Sequence, residues 1–296
     1  MTRAASLGLL LCALAVAGCR QSPVPDGKPL VVASFYPMYE FARQVAAERA
    51  QVISLVPPGV HGHDWEPSPQ DVAQVRRARV FVYNGAGFEP WADKLIKEAA
   101  GSSTVVAASA GLTVTRTGGD GGVDPHVWLD PLLAKGQVEA IRAALERADP
   151  SGKATYAANA GAYEARLTEL DTRFDAGLRD CARREVVVSH AAFGYLTRRY
   201  RLEQVAVTGL APQAEPSPAA LAAIVRTARA RKVTAIFLEP LVSPKLAETL
   251  AREVGVRLLT LDPIEGVTRK EAAEGTGYIE LMARNLQSLR EGLGCR

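Results

Sequence analysis

The sequence contains few of the residues that mark several common classes of protein. Aromatic residues make up only 6% of the 296 residues, and just four histidines and four cysteines occur. The 35 basic residues are interspersed with 32 acidic ones, so the net charge is only +3. Without a basic stripe interleaved with aromatics, nucleic-acid binding has little support. What remains, 48% hydrophobic and 23% charged residues, is the balance of a folded globular protein long enough for two domains.

The N-terminus has the pattern of a secretory signal. A basic residue precedes a largely apolar run over 7–17, which is too short to span a bilayer. Residues 16–19, Val-Ala-Gly-Cys, resemble a bacterial lipobox, in which the cysteine becomes the lipidated first residue. We therefore expect an extracytoplasmic protein (in the periplasm or on the outer face of the cell membrane), with a lipoprotein-type signal peptide over 1–18, lipidation at Cys19 and a flexible tether over 19–28. An ordinary signal peptide with a chance cysteine is the alternative.

The cysteine count fits export to an oxidising compartment. Cys12 would leave with the signal peptide and Cys19 would carry lipid, so two cysteines remain. We predict a disulfide between Cys181 and Cys295, which would pin the C-terminal tail to the start of the second half. Two unpaired thiols are the alternative.

Short apolar runs alternate with amphipathic segments along the chain, in two similar halves. This alternation predicts α/β domains, each with a four-stranded parallel sheet flanked by helices. The predicted strands cover 30–35, 52–56, 80–83 and 104–108, then 185–189, 204–208, 235–238 and 257–261. The predicted helices cover about 38–50, 69–77, 89–100 and 133–148, then 192–200, 217–231, 244–254 and 271–290.

The segment between the two halves has no strand signal and favours one long helix. Its apolar positions step by threes and fours, the spacing of an amphipathic helix: Tyr156, Ala160, Tyr163, Leu167, Leu170, Phe174 and Leu178. About 26 residues at about 1.5 Å each would span roughly 40 Å, enough for a spine between two lobes. We predict an N-terminal lobe over 29–150, this linking helix within 151–181 and a C-terminal lobe over 182–296. An ordinary helix of the second domain is the alternative.

All four histidines fall at the ends of predicted strands or in the loops that follow them. His61 and His63 lie after the second strand, His126 lies beyond the fourth, and His190 ends the fifth. Because ligands of open α/β sheets gather at the carboxyl ends of strands, these loops could converge on one cleft between the halves. Asp262, at the end of the eighth strand, offers a further oxygen ligand.

Three imidazoles and one carboxylate would complete the four-coordinate shell that zinc prefers. Copper and nickel also accept imidazole, whereas manganese prefers more oxygen, so zinc is the favoured ion and manganese the alternative. We expect the ligands to be His63, His126, His190 and either Asp262 or a water. Residues two apart reach one metal only in particular loop shapes, so His61 is an alternative to His63.

These residues and their neighbours resemble the motifs of bacterial periplasmic substrate-binding lipoproteins for zinc and manganese, the zinc-uptake or TroA-like family. Residues 62–71 (Gly-His-Asp-Trp-Glu-Pro-Ser-Pro-Gln-Asp) are similar to the first metal loop and 124–128 (Asp-Pro-His-Val-Trp) to the second. Residues 189–195 (Ser-His-Ala-Ala-Phe-Gly-Tyr) are similar to the third and 261–263 to the fourth, while 213–218 carry another hallmark. The resemblance covers nearly the whole mature chain.

The resemblance implies two α/β lobes joined by one long helix, a metal between them, and delivery to the membrane permease of an ABC importer. We expect a monomer with no enzymatic activity. Manganese members tend to carry Glu where this chain has His190, so the match is closer to the zinc branch. Two departures stand out: the loop 115–122 is short and lacks histidine, and Gly62 replaces the usual proline, which predicts a softer loop.

A zinc-dependent hydrolase is the main competing hypothesis, since three protein ligands and an open fourth position would activate a water. Glu66 and Glu239 are then the candidate bases, but no His-Glu-x-x-His motif accompanies the histidines. A surface adhesin is a third hypothesis, although no adhesive patch can be identified in the sequence.

Overall fold

The computed structural model describes residues 27–63, 65–99, 101, 103–112, 122–210, 218–241 and 245–296. The predicted signal peptide, the lipidation site Cys19, nearly all of the tether, the loop residues 115–121 and the hallmark residues 213–217 lie outside these ranges. Within these ranges, none of the helices combines the length and the hydrophobicity that a membrane-spanning segment requires.

The N-terminal lobe is built on a parallel sheet whose central strands are buried. The strands are β1 (Leu30–Ala33), β2 (Gln51–Ser54), β3 (Val80–Tyr83) and β4 (Thr104–Ala107), in the order β2-β1-β3-β4. The helices around it are α1 (Tyr36–Ala46), α2 (Pro69–Arg77), α3 (Ala92–Ala99) and α4 (Pro131–Ala148). Every residue of β1 is buried, which is why this strand reads as a continuous apolar run and not as an alternation.

The predicted spine is a single helix, α5 (Lys153–Leu178), of 26 residues and about 39 Å. Its buried positions are the seven that the periodicity singled out, so the prediction is confirmed. Helix α5 packs against α1 and α4 of the first lobe and against the last helix of the chain. Because one apolar core runs through both lobes and this helix, a wide hinge opening would expose apolar surface to water.

The C-terminal lobe repeats the plan of the first. Strands β5 (Glu185–Val188), β6 (Glu203–Ala206), β7 (Ala235–Leu238) and β8 (Arg257–Thr260) pair in parallel in the order β6-β5-β7-β8. The helices are α6 (Gly194–Arg199), α7 (Pro218–Ala230), α8 (Lys245–Val254), α9 (Arg269–Glu274) and α10 (Tyr278–Leu293). The predicted fold class, two four-stranded parallel α/β lobes joined by one long helix, is therefore confirmed.

The one helix predicted over 271–290 is wrong, because the chain forms α9 and α10 with a break between them. Gly275 ends α9 in the left-handed region at φ 69°, and Gly277 is extended at the start of α10. The carbonyl of Thr276, left free by the break, accepts a hydrogen bond from the Tyr36 hydroxyl at 2.7 Å. The break thus ties the C-terminal lobe to α1.

Direct contacts also join the lobes beside the spine. The Trp128 indole donates a hydrogen bond to the carbonyl oxygen of Pro263 at 2.7 Å. The backbone N–H of Gly59 donates to the carbonyl oxygen of Val267 at 2.8 Å. The predicted disulfide between Cys181 and Cys295 is present and confirmed. It fixes the C-terminal tail beside the end of α5. The exact lobe boundaries at 150/151 and 181/182 stay a prediction.

Candidate metal centre

Four potential metal ligands converge between the lobes: His63, His126, His190 and Glu265. Each offers one ligand atom, and these atoms all lie within 4.8 Å of one another. They are the only such group among the described residues. The first two residues follow strands β2 and β4 and the other two follow β5 and β8, so both sheets direct their carboxyl ends at the same place.

The distances within this group match a small four-coordinate ion. Glu265 Oε1 lies 3.2 Å from His126 Nε2, 3.1 Å from His190 Nε2 and 3.5 Å from His63 Nε2. The Nε2 atoms of His63 and His126 are 3.4 Å apart. Ligands of a tetrahedral zinc with bonds of about 2.0–2.1 Å are separated by about 3.3–3.4 Å. These four separations therefore agree, to within about 0.3 Å, with those between the ligands of a tetrahedral zinc.

Two further carboxylates orient the buried imidazoles. Nδ1 of His126 lies 2.8 Å from Asp124 Oδ1, and Nδ1 of His190 lies 2.7 Å from Glu239 Oε1. Both pairs are buried. A carboxylate at Nδ1 keeps the proton on that nitrogen and leaves the Nε2 lone pair directed at the centre, an arrangement typical of metal-binding histidines. Glu239 thus supports His190.

The cluster holds protons that a cation would displace. Burial opposes ionisation of His190, but hydrogen bonds to Glu239 and Glu265 outweigh it and raise its pKa to about 10. Burial likewise works against a charged His126, yet Asp124 and Glu265 raise its pKa. Burial would raise the pKa of Glu265, but its contacts with the histidines hold that pKa well below the usual range. A divalent cation would replace these protons as the partner of the carboxylates.

Asp262 does not join the group, and Glu265, which was not among the predicted ligands, supplies the carboxylate oxygen instead. Asp262 Oδ1 accepts a hydrogen bond from the backbone N–H of Ile264 at 2.7 Å. The side chain of Asn285, on α10, bonds both the N–H and the carbonyl of Asp262. Ile264 has φ 57°, a left-handed conformation that a β-branched residue rarely adopts. This turn reverses the chain, so that Glu265, three residues after Asp262, faces the histidines.

His61 lies beside the group but not within it. Its Nδ1 is 2.7 Å from Glu265 Oε2, although the two atoms lack the angular geometry of a hydrogen bond. In the sequence, Glu265 is only the second of two acids in the short stretch that follows β8, and Asp262 lies closer to the end of the strand.

The chain matches the family described as "Zinc-uptake complex component A periplasmic" over residues 31–292. The chain belongs to this family. It is 36% identical to the high-affinity zinc uptake system protein ZnuA of Bacillus subtilis (strain 168), over 95% of each chain. It is 37% identical to the zinc-binding lipoprotein AdcA of Streptococcus pneumoniae (strain R6), with which it aligns over 95% of its own length but 59% of that protein.

Solved structures of similar proteins share this fold. The Zn(II)-bound ZnuA-like domain of Streptococcus pneumoniae AdcA superimposes with a TM-score of 0.80 at 38% sequence identity. That alignment covers 90% of this chain and 99% of the domain. Members of the zinc-uptake family are solute-binding components of importers, and the pair of lobes with one connecting helix is their common architecture.

Gly62, which we expected to soften its loop, is enclosed by neighbouring side chains. A Cβ at this position would lie 2.9 Å from a ring carbon of Phe88, so no side chain fits without movement. The Phe88 ring also packs against the His63 imidazole with centroids 4.3 Å apart. The indole of Trp91 donates to the Gly62 carbonyl at 3.3 Å. The absence of a side chain at residue 62 therefore lets the Phe88 ring pack against the imidazole of His63.

Buried Glu89 holds the loop that carries Phe88 in place. Its carboxylate accepts hydrogen bonds from the Ser34 hydroxyl at 2.7 Å and from the backbone N–H groups of Asn84 and Gly85 at 2.7 and 3.0 Å. Burial raises the pKa of Glu89 to about 7 in spite of these bonds. The 84–89 loop is thereby fixed to Ser34, the residue that follows β1, and Phe88 is held with it.

Proposed function

We propose that this protein captures Zn²⁺ outside the cytoplasm and delivers it to the membrane permease of an ABC importer. The proposed ligands are His63, His126, His190 and Glu265. The observation that supports this most directly is the spacing of their four ligand atoms, with 3.1–3.5 Å between Glu265 Oε1 and each histidine Nε2. Zinc is the cargo of the protein in this account.

The composition of the site favours zinc over manganese. Three imidazole nitrogens and a single carboxylate oxygen suit tetrahedral zinc, whereas manganese prefers more oxygen ligands. His190 supplies nitrogen where manganese members of the family tend to carry a carboxylate. Two relatives that align with 95% of this chain are themselves described as a zinc uptake protein and a zinc-binding lipoprotein.

The structure supports capture and release by loop movement. The lobes share one core and are tied by hydrogen bonds beside the spine helix. The side chains of His126 and His190 have no exposed surface, but that of His63 is 12% exposed. Zinc would therefore enter and leave past His63, on the loop that the Phe88 ring packs against.

The site is poorly suited to hydrolysis. Glu265 fills the fourth position that a catalytic zinc would leave open to a water. Of the candidate bases, Glu66 is exposed and Glu239 is committed to His190. We therefore propose a binding role without catalysis.

We further propose that Cys19 is lipidated and anchors the protein to the outer face of the membrane as a monomer. The lipobox-like sequence supports the anchor, and the disulfide fits an oxidising compartment. One relative is described as a lipoprotein. Intact-mass spectrometry of the protein purified from the membrane fraction tests this proposal. A mass that corresponds to unmodified Cys19 would exclude the anchor.

The test of zinc binding is a competition titration with a chromogenic chelator. We expect His126→Ala and His190→Ala each to weaken zinc binding by about tenfold or more, because each removes one ligand. Arg173→Ala, on the exposed side of α5, is the matched control and should bind as the unmodified chain does. Unchanged zinc affinity in both histidine variants would exclude this site, and esterase or phosphatase turnover by the zinc-loaded protein would favour the hydrolase.

A further inference from the structure

Glu265 presents its two oxygens to different neighbours. Oε1 lies within 3.5 Å of Nε2 of all three proposed histidine ligands. Oε2 lies instead 2.7 Å from Nδ1 of His61. The carboxylate therefore stands between the metal group on one side and a fourth imidazole on the other.

His61 and this second oxygen have no other partner among the described residues. Both ring nitrogens of His61 and Oε2 of Glu265 are buried without a hydrogen bond in that part of the chain. The two side chains are 12% and 1% exposed. Buried polar atoms are rarely left unpaired, because the water they lose is not replaced. At 2.7 Å only the angle is unsuitable, so a small rotation of the imidazole would complete a hydrogen bond.

The backbone keeps these two side chains together. The N–H of Gly59 donates to the carbonyl of Val267 at 2.8 Å, which joins the loop of His61 to the loop of Glu265. A Cβ on Gly266 would lie 3.0 Å from the carbonyl oxygen of Val60, so the two loops are in close contact. The His61–Glu265 pair is thus part of a built interface between the lobes.

We propose that His61 donates a hydrogen bond from Nδ1 to Glu265 Oε2, leaves only Oε1 for the metal, and thereby strengthens the preference for zinc over manganese. This rests on the proposed function. One oxygen and three imidazoles make the four-coordinate site of zinc. If Oε2 were free to bind as well, the site would gain a fifth ligand and a second oxygen, which favours manganese. His61 touches Glu265 and is a positioning residue.

The test compares zinc and manganese affinities, by competition titration, for the unmodified chain, His61→Ala, His61→Asn and Pro58→Ala. We expect His61→Ala to lower the ratio of zinc to manganese affinity by about tenfold, the effect typical of losing an outer partner of a ligand. His61→Asn should restore most of the ratio, because its amide places a donor close to the position of Nδ1. Pro58→Ala, an exposed change on the same loop, should leave the ratio unchanged.

The absorption spectrum of the Co²⁺-loaded protein supplies a second readout. The d–d bands of four-coordinate Co²⁺ are stronger than those of higher coordination, so His61→Ala should weaken them and His61→Asn should not. An unchanged ratio in His61→Ala, no rescue by His61→Asn, or an equal change in Pro58→Ala would overturn the inference. If the unmodified chain binds zinc and only the ratio fails to respond, the proposed function stands; absent zinc binding overturns both.

Discussion

The two acidic residues after β8 should respond differently to removal of their charge. In Glu265→Gln the carboxylate that faces three imidazoles becomes a neutral amide. We expect zinc affinity to fall by about 100-fold or more, at least about 2.7 kcal/mol, since even outer partners of ligands contribute about 10–100-fold. The unfolding free energy of the metal-free protein should fall as well, because the substitution removes the buried negative charge that pairs with the histidines.

Asp262 should affect the stability of the metal-free protein but hardly its zinc affinity. In Asp262→Asn the side-chain oxygen can still accept from Ile264 N–H, and burial already raises the pKa of Asp262 to about 7. We therefore expect zinc affinity to stay within about tenfold of the unmodified value. Asp262→Ala leaves that buried N–H unpaired beside a strained backbone, so the metal-free protein should lose about 2–3 kcal/mol.

Competition titration near neutral pH measures the affinities, and urea unfolding of the metal-free variants measures the stabilities. Asp262 acts through the turn, whereas Glu265 acts on the metal. An Asp262→Asn variant that loses as much zinc affinity as Glu265→Gln would refute this distinction.

Three further predictions follow from the same structure. Burial opposes protonation of His190, but adjacent carboxylates raise its pKa to about 10, so zinc must displace a proton. The affinity of the protein for zinc should therefore keep rising with pH above about 6.5, the ordinary histidine value. A zinc affinity that stays constant above that pH in titrations at several pH values would count against this. Replacing both disulfide cysteines, which are 114 residues apart, with serine should lower the unfolding free energy by about 3–5 kcal/mol in urea, and a loss below about 1 kcal/mol would contradict it. Gly62→Ala should lower the unfolding free energy by about 1–3 kcal/mol, because the new methyl group clashes with Phe88. Gly161→Ala, on the open face of α5, should leave the unfolding free energy unchanged or raise it. Equal shifts of the melting temperature in the two variants would exclude the clash.

The fold was largely predictable because burial leaves a direct mark on the sequence. Strands of a covered parallel sheet are apolar on both faces, so β3 and β7 are found at their observed bounds. The spacing of buried residues along α5 defines a helix regardless of its surroundings. The break between α9 and α10 was not predicted, because the apolar periodicity continues across it and only Gly275 and Gly277 mark the change.

The site was predictable in part. Histidines at the carboxyl ends of strands can be located from the sequence, since the strands themselves can. Glu265 could not, because its direction depends on the left-handed backbone of Ile264, and nothing in a β-branched residue indicates that conformation. The pairing of Glu239 with His190 spans 49 residues and depends on β5 and β7 being neighbours in the sheet. Such long-range pairings follow from the fold and not from local sequence.

The most direct test of the account is a crystal structure of the zinc-loaded protein, with anomalous data collected at the zinc edge. We predict one zinc between the lobes, bonded at about 2.0–2.2 Å to Nε2 of His63, His126 and His190 and to Oε1 of Glu265. A zinc bonded to Asp262, or no zinc between the lobes, would contradict it.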